Sequence, residues 1–171
     1  MLIVAESPPP LRKGRPRYFY FDELDSPENL YHGIMTALWG EVFKRTASNK
    51  PHHLKRFCEE GFYLIDAVKF PIYDLRNEQQ KIQAIREQRQ ARLNEILALE
   101  PEHTVLIHPY VFAGLYEFLL THEISILNAS PITFPIVGKS IFDEFISQFQ
   151  DTLARAGIIA PIRQTSSQPG P

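Results

Sequence analysis

The sequence predicts an α/β protein: a single three-layer domain with a four-stranded parallel sheet flanked by helices. Two observations carry this. Short apolar runs alternate with longer amphipathic segments, the pattern of strand–helix–strand units. Each of the four short runs also ends in polar or proline-bearing residues, which a parallel sheet would gather along one edge.

The elements follow in order. Residues 2–5 (Leu-Ile-Val-Ala) read as a buried strand running straight into Glu6-Ser7-Pro8-Pro9-Pro10. The prolines prevent an ordinary helix start there. A helix is expected from Ser26 as N-cap, with Pro27 at the first helical position, to about Arg45; Leu30, Ile34, Leu38 and Val42 share one face. Asn49-Lys50-Pro51 starts a shorter helix that Gly61 ends. Residues 62–68 form the second strand, and a long polar helix is expected over residues 77–99. Its apolar positions, Ile82, Ile85, Leu93, Ile96 and Leu97, leave a solvent-exposed middle. Residues 104–107 form strand three, about 110–120 a helix, and 124–127 strand four. The last helix runs over residues 140–156 with Phe142, Phe145, Ile146, Phe149 and Leu153 inward, and Gly157 closes it. One domain, residues 1–160, accounts for these elements; the tail 161–171, rich in Ser, Pro and Gln, is expected to be disordered.

With 171 residues, 44% hydrophobic and 22% charged, the chain suits one soluble domain with a real core. No apolar run approaches the roughly 20 residues that span a bilayer, so no membrane association is expected. The start of the chain lacks the basic region of a secretory signal. A single cysteine, Cys58, excludes an internal disulfide and an all-cysteine metal or iron–sulfur site within one chain. A cytoplasmic location is therefore expected. His52-His53, and His103 with His108, lack metal-ligand spacing, so neither metal nor other cofactor is expected. The net charge of −2 excludes a general polyanion binder; a nucleic-acid surface would be a local patch.

The strand ends carry Glu6, the stretch Asp66-Ala67-Val68-Lys69, the pair His108-Pro109, and Asn128-Ala129-Ser130-Pro131. Polar groups from four distant points would thus converge on one crevice, where ligands bind in open α/β sheets. Glu6 is where a catalytic group would stand.

Three of these pieces carry a resemblance to the uracil-DNA glycosylase superfamily over nearly the whole chain. Val4-Ala5-Glu6-Ser7-Pro8 resembles the first motif of the bacterial iron–sulfur type, Gly-Glu-Ala-Pro-Gly. Leu64-Ile65-Asp66-Ala67-Val68-Lys69 resembles the base-reading strand, with Asp66 in the place of an Asn. Asn128-Ala129-Ser130-Pro131 and the Phe-rich helix after it resemble the second motif, usually His-Pro-Ser or Asn-Pro-Ser. The cluster cysteines of the iron–sulfur type are missing.

The resemblance implies a base-excising DNA glycosylase. Glu6 would activate water or stabilise an oxocarbenium-like sugar. Asn128 and Ser130 would stabilise the leaving base. Asp66 would read the base edge, although an ionised Asp offers only acceptors and suits an amino-bearing base unless burial keeps its proton. Alternatively, Asp66 is a strand-end residue bound to backbone or to Lys69. Phe19 or Tyr20 would stack on an extruded base, or pack in the core. In the loop at residues 132–136, Phe134 or Ile136 would wedge into the DNA stack, or contact the last helix. Arg12, Lys13, Arg15 and Arg17, with Lys139 and Ser140 at a helix N-terminus, would track the nucleic-acid backbone. The residues leave two other functions open: a non-catalytic nucleobase or nucleic-acid binder, and a scaffold that meets a protein partner through the 77–99 helix.

Overall fold

The structure, a computed structural model, describes residues 1–10, 18–21, 28–40, 49–135 and 138–160. Three parallel strands, β1 (Leu2–Ala5), β2 (Tyr63–Asp66) and β3 (Thr104–Leu106), form a sheet in the order β2-β1-β3. Among the described residues five helices accompany them: α1 (Asn29–Trp39), α2 (Lys50–Glu59), α3 (Glu78–Leu99), α4 (Pro109–Leu120) and α5 (Lys139–Arg155).

β1 is central and buried along its whole length, as a continuous apolar run in a sheet covered on both faces requires. Its side chains alternate. Ile3 and Ala5 join one core with Tyr31, Met35, Phe57, Phe145 and Phe149, contributed by α1, α2 and α5. Leu2 and Val4 join the other with Ile85, Leu93, Ile96, Val111 and Leu115, from α3 and α4. Helices therefore cover both faces, giving the expected three layers.

Two glycines let the helices close up. A Cβ on Gly33 of α1 would stand 2.7 Å from Cε1 of Phe145 on α5. A Cβ on Gly114 of α4 would stand 2.6 Å from Cγ2 of Ile85 on α3.

The sheet departs from the expected four strands. Residues 124–127 make only a single parallel bridge, Thr104 with Ile126, and a second bridge joins Ile107 to Ile132. The outer edge of β3 is nonetheless satisfied. Thr104 exchanges hydrogen bonds with Ser125 O (2.8 Å) and Leu127 N (2.9 Å), and His108 N donates to Ile132 O (3.1 Å). Between them the Asn128 side chain takes the place of a strand: its Oδ1 accepts from Leu106 N (2.9 Å) and its Nδ2 donates to Leu106 O (3.1 Å).

Two helix limits also differ. α1 stops at Trp39, not near Arg45, because Gly40 adopts φ 66° and its N–H closes the helix on Thr36 O. The expected cap Ser26 and the face residue Val42 lie outside the described residues. On α3, Leu97 is exposed rather than inward, while Ala84, Ile85, Leu93 and Ile96 are buried. The tail 161–171 lies outside the described residues.

Candidate functional site

The parallel register pairs Ala5 with Asp66, so the carboxyl ends of β1 and β2 lie side by side. The chain beyond β1 stays close to β2: Ala67 N donates to Ala5 O (2.7 Å) and Val68 N to Glu6 O (3.2 Å). These bonds fix the backbone of Glu6 beside that of Asp66. Both side chains line one cleft of about 290 Å³. Pro8, Tyr18, Phe19, Tyr31, Tyr73 and Phe134 supply much of its apolar wall, and Glu28 and Asn29 add polar groups from the start of α1. The volume is at the small end for ligand sites, suited to one compact flat molecule.

Burial dominates the electrostatics. It pushes the Asp66 carboxyl up to about 7; Arg92 pulls it down and Glu6 pushes it further up. It also raises Glu6, against the lowering influence of Lys81. Glu6 Oε1 is buried without a hydrogen-bond partner. Arg92 is buried against this edge, ion-paired with Glu95, and its Nη1 donates to Asp66 O (3.3 Å). Lys69 points elsewhere, its Nζ 3.9 Å from Glu95 Oε2, so it does not neutralise Asp66.

Among the described residues the basic nitrogen against Glu6 is Nε2 of His108, 3.6 Å from Oε1. Burial, reinforced by Lys81, lowers His108 to about 4, so the ring is neutral at physiological pH. Its Nδ1 accepts from Tyr110 N at 3.1 Å, which puts the proton on Nε2, facing Glu6. His108 was legible only as a strand-end His-Pro. Its position after β3 parallels that of Glu6 after β1, a signal that metal spacing alone discards.

The remaining expected residues separate into three groups. Phe19 lines the cleft while its ring packs on Phe57 (5.5 Å) and Tyr31 (6.1 Å). Phe134 lines it too, 5.2 Å from the His108 ring. Its loop is tied to α5 through Thr133 N donating to Gln148 Oε1 (2.7 Å). Tyr20 is absent from the cleft wall: its hydroxyl accepts from Leu64 N (2.7 Å) and donates to Leu64 O (3.3 Å), capping the free edge of β2. Asn128 is absent as well. Its amide is consumed by Leu106 and by Ser130 O (2.9 Å), and Ser130 is exposed. Lys139 and Ser140 are exposed at the start of α5 and do not line the cleft. Arg12, Lys13, Arg15, Arg17 and Ile136 lie outside the described residues.

Among the described residues no group of three or more His, Cys, Asp or Glu is arranged to hold a metal ion. No helix among them is long and apolar enough to cross a membrane. No family model, no curated protein and no solved structure matches the chain.

Proposed function

We propose that the cleft receives a nucleobase turned out of a DNA strand and that Glu6 drives hydrolysis of its N-glycosidic bond, in the manner of uracil-DNA glycosylase-like proteins. The observation that supports this best is the pairing of Glu6 and Asp66, two half-buried carboxyls on adjacent strand ends, in one small aromatic-walled cleft. Phe19 and Phe134 offer apolar surface against a base. A protonated Asp66 presents an O–H donor beside a carbonyl acceptor, the pair an Asn amide would offer to a uracil-like edge. Glu6, ionised, faces the sugar, where it stabilises developing positive charge or takes a proton from the attacking water.

The test is base release from oligonucleotides carrying uracil, hypoxanthine, a thymine mismatch or unmodified cytosine, read as alkali-induced strand cleavage. Release is expected from at least one substrate and falls about 100-fold or more in Glu6→Gln. Absence of release from every substrate at high protein concentration would end the catalytic reading.

One observation favours a second reading, nucleobase binding without cleavage. With the Asn128 amide engaged by backbone, that side chain offers nothing to a departing base. In that case Glu6→Gln leaves the affinity for single-stranded oligonucleotides unchanged in fluorescence anisotropy, while Asp66→Ala weakens it.

A further inference from the structure

We infer that His108 is the positioning residue of Glu6, its Nε2–H being the donor that faces Oε1 in the free protein, holds the carboxylate aimed into the cleft, and tightens on it when substrate is bound. The inference rests on Glu6 acting on that substrate.

Three independent pieces of geometry converge on the contact. First, the ring has one available orientation. Nδ1 is committed to Tyr110 N, and the ring lies between Tyr110 (4.4 Å between centroids) and Phe134 (5.2 Å). Second, the backbone of His108 sits at φ 92°, ψ 133°, a region that side-chain-bearing residues rarely occupy. Such strain persists where the surrounding structure holds it, commonly at functional sites. Pro109 follows, which bars His108 from the helical region, but it does not demand a positive φ. Third, Oε1 of Glu6 is a buried carboxylate oxygen without a hydrogen-bond partner, and Nε2 is 3.6 Å from it. That separation is a few tenths of an ångström beyond a hydrogen bond; catalytic contacts of this kind tighten on substrate binding.

The charged surroundings are compatible with this role. Lys81 faces both Glu6 and His108 from α3, Asp66 faces Glu6 from β2, and Tyr110 lies beside both on α4. Glu28 lines the cleft from the start of α1, paired with Lys50. Among the described residues none of these places a donor hydrogen against Oε1, and the N–H that lies within reach of it is that of His108.

Two variants separate a positioning role from helix capping. His108→Asn keeps an acceptor within reach of Tyr110 N and removes the donor to Glu6. His108→Gln places an amide N–H where Nε2 was and gives up the cap. A positioning role predicts that Asn lowers kcat for base release roughly ten- to hundred-fold with KM nearly unchanged, and that Gln retains most activity. The Glu6 carboxyl, followed by ¹³C NMR against pH, should titrate higher in the Asn variant and near the wild-type value in Gln. A reversed order of activities, with Asn like wild type and Gln impaired, would make His108 a helix cap only and overturn the inference. So would a Glu6 titration that Asn leaves unmoved or lowers. If the wild-type protein releases no base, the glycosylase reading fails, and the Glu6 titration by itself decides whether the His108 contact exists.

Discussion

Asp66 and His108 show how burial acts on opposite charges at one site. Asp66 is raised to about 7, chiefly by burial, from an ordinary value near 4. The folded chain therefore holds a proton there that the unfolded chain releases. The stability this gives is fully present below about pH 4 and is lost as pH rises through 7. His108, lowered to about 4 by burial, works the other way: its contribution is present above pH 6.5 and is lost as pH falls toward 4. Asp66→Asn removes the first effect alone. The variant is expected to exceed wild type in stability at pH 8 by a few kcal/mol and to lose that advantage by pH 4. Urea unfolding at the two pH values measures it; an equal difference at both would show that Asp66 is not held protonated. The same proton governs recognition. As pH rises through about 7, affinity for bases with a uracil-like edge should fall and affinity for amino-bearing bases should rise. Asp66→Asn should bind the uracil-like edge without that dependence, checked by anisotropy between pH 5.5 and 8.5. The sequence showed that the choice turned on this proton. Whether the proton stays depends on how deeply the strand end is buried, and local composition does not encode that.

The element that the sequence misjudged is the outer edge of the sheet. Residues 124–127 have the apolar content of a strand, yet Asn128 rather than a fourth strand satisfies Leu106. A side chain that pairs with backbone leaves no two-residue hydrophobic period, so the substitution is invisible in pattern alone. Asn128→Ala strands a buried N–H and C=O on Leu106 and should cost about 2–4 kcal/mol. Asn128→Asp keeps the acceptor but turns a carboxyl oxygen toward the Leu106 and Ser130 carbonyls that Nδ2 served, so once ionised it should be at least as destabilising as Ala. Unfolding curves for the three proteins test the ordering; an Ala variant within 0.5 kcal/mol of wild type would mean water replaces the amide. The helix pairs carry a similar hidden constraint. Of the five apolar positions expected inward on α3, Ile85, Leu93 and Ile96 are buried, Ile82 is half-buried and Leu97 is exposed, and nothing in the spacing disclosed that Gly114 meets Ile85. Gly114→Ala should destabilise by about 1–3 kcal/mol despite its gain in helix propensity, because Ile85 is fully buried and cannot withdraw. Adding Ile85→Ala should remove that overpacking term, measured as a non-additive double-mutant cycle.

At the scale of the molecule, the order of strands decides which strand ends can cooperate. The sequence located four polar ends but could not order them, since strand order is set by how the helices distribute over the two faces. With β1 between β2 and β3, Glu6 has Asp66 on one side and His108 on the other. Asn128 lies beyond β3, where it is used to finish the sheet. The arrangement ties the candidate site to the most protected part of the fold. β1 is buried against both cores, so opening it requires global unfolding, whereas the edge beyond β3 rests on single bridges and one side chain. Hydrogen exchange should expose that difference. Ile107 N donates inward to Val4 O and should exchange only with the whole protein. Leu106 N donates outward to Asn128 and should exchange earlier by local opening. Asn128→Ala should accelerate Leu106 by about tenfold or more beyond its effect on Ile107. Equal acceleration of both amides would show instead that the edge and the centre open as one unit, and that damage beyond β3 reaches the Glu6 cleft directly.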